Sequence, residues 1–62
     1  MQNKEELERA QYIYKEVEDI HDVLDSLYEN LVDRDMNAAS VDVRYLLFRL
    51  KDIESKIVSN EI

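Results

Sequence analysis

Apolar side chains in the first half of the sequence recur as Ala10, Ile13, Val17, Ile20, Leu24, Leu27 and Leu31, with steps alternating between three and four residues. This is a heptad seam, and it predicts a long amphipathic helix. With Ala10 at position a, the residues Leu7, Tyr14, His21 and Tyr28 fall at position e and widen the apolar face beyond a narrow coiled-coil stripe. Asn3 followed by Glu6 resembles a capping box, so the helix is expected to begin near Lys4, with Glu5, Glu6 and Glu8 close to its positive end.

A second seam runs through Ala39, Val43, Leu46, Leu50, Ile53 and Ile57, flanked by Leu47. It does not continue the first. Extended past Leu31, the first register would bury Arg34, Asp52 and Ser55 and expose Val43, Leu46 and Leu50. The change of phase predicts a turn among Asp33, Arg34, Asp35 and Asn37, where Asp35 or Asn37 is expected to cap the second helix and Asn to supply the left-handed backbone that Gly normally provides. The expectation is a single all-α unit over 1–62, an antiparallel two-helix hairpin with helix 1 at about 4–33, a turn at about 34–38 and helix 2 at about 39–60. One continuous helix is the alternative, because the sequence holds no Gly and no Pro to break it.

Such a hairpin buries one face and leaves the e-position side chains and Leu47 wet, so two copies are expected to pair into a four-helix bundle. The core of that oligomer is read as Ile13, Val17, Ile20, Leu24, Leu27, Leu46, Leu50, Ile53 and Ile57. The layout resembles that of Rop-type plasmid copy-number proteins, which are dimers of helical hairpins. It departs from that family on the outer face of helix 1, which is acidic where RNA binding needs basic or polar groups. Helical-hairpin chaperones of secretion systems have a similar layout.

Charge sharpens the functional reading. The net charge of −7 lies entirely in the first half, where four basic residues, Lys4, Arg9, Lys15 and Arg34, stand against a large excess of Asp and Glu. That field disfavours direct contact with nucleic acid or an anionic membrane. The absence of Cys rules out a disulfide framework, and no apolar run is long enough to span a membrane, so a cytoplasmic location is the expectation.

Three groups of residues stand out. Val41, Tyr45 and Phe48 form an apolar stripe off the main seam, bordered by Arg44, Arg49 and Lys51, and aromatic anchors of this kind dominate protein interfaces. Glu18, Asp22, Asp25 and Glu29 line an outer acidic ridge on helix 1. Glu18 and His21 have metal-ligand spacing and lie roughly level with Glu54 in an antiparallel hairpin, although the solvent-side position of Glu18 makes a flanking, hydrogen-bonded His21 the simpler reading. No nucleophile and base pair stands out and no Gly-rich loop exists, so catalysis and a bound cofactor are not expected. The main expectation is a homodimeric protein-binding module, an adaptor, chaperone or inhibitor, that docks on a larger protein through Val41, Arg44, Tyr45 and Phe48. Beside it stand an acidic decoy that mimics nucleic acid and a Glu-x-x-His metal-binding bundle.

Overall fold

The computed structural model describes residues 4–61, and its described residues form two α-helices and no strand. Helix α1 runs Lys4–Val32 and α2 runs Met36–Val58, and the two pack against each other as an antiparallel hairpin. The expected cap at Asn3 lies outside the described residues. Helix α2 starts three residues before the expected Ala39, at Met36, because Asp35 acts as its N-cap: the Asp35 carboxylate accepts the Ala38 backbone N–H at 3.1 Å.

The tight turn that reverses the chain is made without Gly. Arg34 takes a left-handed conformation (φ 60°), the Asp35 N–H reaches back to the Asn30 carbonyl at 2.8 Å, and the Arg34 N–H reaches Leu31 at 3.1 Å. This paired arrangement is a Schellman motif, which satisfies the last carbonyls of α1. The same motif closes α2, with Asn60 left-handed (φ 62°), Glu61 N–H on the Lys56 carbonyl at 2.8 Å and Asn60 N–H on Ile57 at 3.1 Å. The left-handed residue of the main turn is thus Arg34 and not an Asn, whereas at the second helix end Asn takes that place.

The hydrophobic interior is small. Only Ala39 and Leu46 are buried among the described residues, both on α2, and their small and medium side chains sit where α1 comes close. Tyr12, Glu16, Asp19, Ile20, Val23, Leu27 and Asn30 of α1 are half-buried, as are Asp42, Arg49, Asp52, Ile53 and Lys56 of α2. The line of contact therefore runs along one edge of each apolar seam and not down its middle. Helix α1 is the longer of the two: Tyr12 stands opposite Lys56, and Glu5, Glu8 and Arg9 of its first turns lie around Lys56 and Glu61 at the open end.

Candidate interaction surfaces

Between the helices, on the side away from the apolar seams, a ladder of polar contacts joins α1 to α2. Nearest the turn, Asp42 accepts hydrogen bonds from Asn30 (2.8 Å) and Ser26 (2.9 Å). Further along, the Tyr45 hydroxyl donates to Asp19 at 2.5 Å, and Arg49 pairs with Glu16 while its Nε lies 3.6 Å from Asp19. At the open end Lys56 donates to the Tyr12 hydroxyl, lies 4.5 Å from the centre of its ring and pairs with Asp52 at 3.2 Å. Asp42, Arg49 and Lys56 follow one another at heptad spacing beside the α2 seam, a signal that an apolar periodicity count passes over.

These contacts set the local electrostatics. Hydrogen bonding to Asp19, helped by burial and by the carboxylate charge, holds the Tyr45 hydroxyl above its ordinary value of 10.0. Burial works against the charge on Arg49, but attraction to Glu16, with contributions from Tyr45 and Asp19, outweighs it and leaves the guanidinium raised. Lys56 is raised by its hydrogen bonds to Tyr12 and then Asp52. For Tyr45, Arg49 and Lys56 the shift favours the protonation state already present at neutral pH.

The stripe singled out in the sequence is divided by this ladder. Val41 and Phe48 stand free on α2, 60% and 70% exposed, while Tyr45 reaches across to Asp19 and lies beneath Arg49, whose guanidinium is 5.9 Å from the ring centre. Arg44 is exposed and donates to Ser40 at 3.3 Å, so it borders the Val41 and Phe48 patch, whereas Arg49 is drawn inward.

On the opposite side of the hairpin both seams lie open. Ile13, Val17, Leu24 and Leu31 of α1 and Val43, Leu50 and Ile57 of α2 are all exposed, and Tyr14, Tyr28 and Leu47 extend the surface outward. Of the residues read as an oligomer core, Leu46 is buried, Ile20, Leu27 and Ile53 are half-buried, and Ile13, Val17, Leu24, Leu50 and Ile57 face outward. Tyr12, Ile13, Glu16, Val17, Ile53 and Ile57 line a shallow apolar groove where the two seams meet.

The acidic ridge of Glu18, Asp22, Asp25 and Glu29 is exposed on the side of α1 that faces away from α2. His21 and Glu54 are also exposed, and among the described residues no group of three or more His, Asp and Glu side chains is placed to hold a metal ion. No helix of the described chain is long and apolar enough to cross a membrane. Comparison with protein-family models, with curated proteins and with solved structures finds no match to this chain.

Proposed function

We propose that this chain is a non-catalytic protein-binding module, assembled as a four-helix bundle of two hairpins, that docks on a larger protein through the outer face of α2. The observation that carries the docking half is the pair Val41 and Phe48: large apolar side chains, well exposed, outside the contact between α1 and α2. Side chains so placed add little to holding the hairpin together, yet each is of the kind that fills a pocket on a partner. With Arg44 and Lys51 on the same side, the complementary surface is an apolar cleft rimmed by carboxylates.

The test is a paired substitution, Val41→Ser with Phe48→Ser, assayed against the partner recovered from the host cell and identified. Binding should be lost while the melting temperature stays within a few degrees of the original. Tyr45 is left intact because its hydroxyl ties the two helices together. The acidic ridge supports a second reading, a decoy for a nucleic-acid-binding protein, since four aligned carboxylates there face solvent. If charge reversal at Asp22, Asp25 and Glu29 abolishes binding and the paired Ser substitution does not, the decoy reading takes its place. Steep loss of affinity with salt would point the same way.

A further inference from the structure

We infer that the open seam face of the hairpin, from Ile13 to Leu31 on α1 and from Val43 to Ile57 on α2, is the seat of a second copy of this chain. The inference rests on the assembly half of the reading above and is independent of the docking patch, which lies on the other side of the molecule. Its first support is area. The chain exposes 5367 Å², whereas a compact monomer of 7.4 kDa exposes about 4,200 Å², an excess of about 1,170 Å² per chain. Two chains that each cover this excess bury about 2,300 Å² between them, the size of a stable homodimer interface.

The second support is the chemistry of the face. Its central positions, the exposed Ile13, Val17, Leu24 and Leu31 and the half-buried Ile20 and Leu27, carry no charge, and their three-four spacing is matched on the neighbouring helix by the exposed Val43, Leu50 and Ile57 and the half-buried Ile53, with Leu46 buried among them. A surface made of two parallel-lying heptad seams is complementary to another of the same width and repeat, because knobs on one enter holes of the same spacing on the other. A second hairpin of this sequence has that width and that repeat. The third support is the interior: with Ala39 and Leu46 alone buried among the described residues, the hairpin by itself has far less core than a lone domain of this size needs, and a copy on the seam face supplies the rest.

Sedimentation equilibrium and concentration-dependent melting of the full chain test the inference. The purified protein should have the mass of two chains at micromolar concentration, and its melting temperature should rise with concentration. Leu24 and Leu50 are 46% and 50% exposed in the single hairpin, so Leu24→Asp or Leu50→Asp would change little if the face met only water. With a second copy seated there, each should weaken pairing by about a hundredfold or more, since it buries a charge without a partner. A monomeric protein with a concentration-independent melt overturns the inference, as does an assembly of more than two copies or a dimer that tolerates both substitutions. Should a substituted chain fail to fold, the mass and melting of the unaltered chain still decide. Val41→Ser with Phe48→Ser should leave the dimer intact. A monomer that still docks through Val41 and Phe48 would remove the pairing and leave the docking reading standing.

Discussion

Arg34 occupies a backbone conformation that costs a residue bearing a Cβ about 1 kcal/mol or more relative to Gly, and it does so at the turn between α1 and α2. Arg34→Gly should therefore raise stability in denaturant titration, by less than about 1 kcal/mol because the extra freedom of Gly in the unfolded chain offsets part of the gain. At the next position, Asp35→Ala removes the cap on the Ala38 N–H and should lower stability by about 1 kcal/mol. Two ladder residues give a pH dependence with a definite sign. Tyr45 and Lys56 both hold their protons more tightly in the folded chain than their ordinary values of 10.0 and 10.5 imply. Their contribution to stability is complete below those values and is lost as pH rises through the raised ones. The melting temperature should thus fall above about pH 10, and Tyr45→Phe or Lys56→Met should flatten that fall, as followed by circular dichroism.

At the scale of the helices, alternating steps of three and four apolar residues were enough to find both α1 and α2, and the change of phase after Leu31 was enough to separate them. The face along which they meet was not legible in that pattern. An apolar count centres contact on Val17, Leu24, Val43 and Leu50, but the helices turn so that these point outward and Tyr12, Glu16, Asp19, Asp42 and Arg49 come between the two backbones. The physical reason is that the seam is wider than one neighbouring helix can cover, so only one of its edges meets the sister helix. Tyr45 shows the same limit: its spacing with Val41 and Phe48 marks a stripe, while its bond to Asp19 depends on a residue 26 positions away. Near the turn, the small side chain of Ala39 is buried. Ala39→Leu should force the helices apart and cost about 1–3 kcal/mol, and Leu46→Ala, which empties the larger of the two buried positions among the described residues, about 2–4 kcal/mol; chemical denaturation measures both.

For the whole molecule, two surfaces on opposite sides of one hairpin divide the work proposed for it. The seam face is broad and uncharged along its centre, suited to a permanent neighbour, and the Val41 and Phe48 patch is small, suited to a partner that comes and goes. Pairing through the first face would carry two copies of the second, so a partner with two sites would be held by avidity as well as by contact. The charge of −7 on each chain would oppose the proposed pairing at low ionic strength, so raising salt from low to moderate levels should lower the dissociation constant of such a dimer, as read by sedimentation.

The capped turn has a further consequence for the order in which the chain folds. Asn30 and Asp42 are 12 residues apart in sequence, whereas Tyr12 and Lys56 are separated by 44. Closing the first pair orders a short loop, and each later rung then adds only a few residues to a helix already begun. Both buried side chains, Ala39 and Leu46, lie in the half of α2 next to the turn, so the hairpin should close like a zip from that end and open from the other. Hydrogen exchange followed by mass spectrometry should show protection highest around Asn30 to Leu46 and lowest from Lys4 to about Arg9, at the end of α1 farthest from the turn. Uniform protection along α1 would mean that the pair of chains, and not the turn, sets the order of assembly.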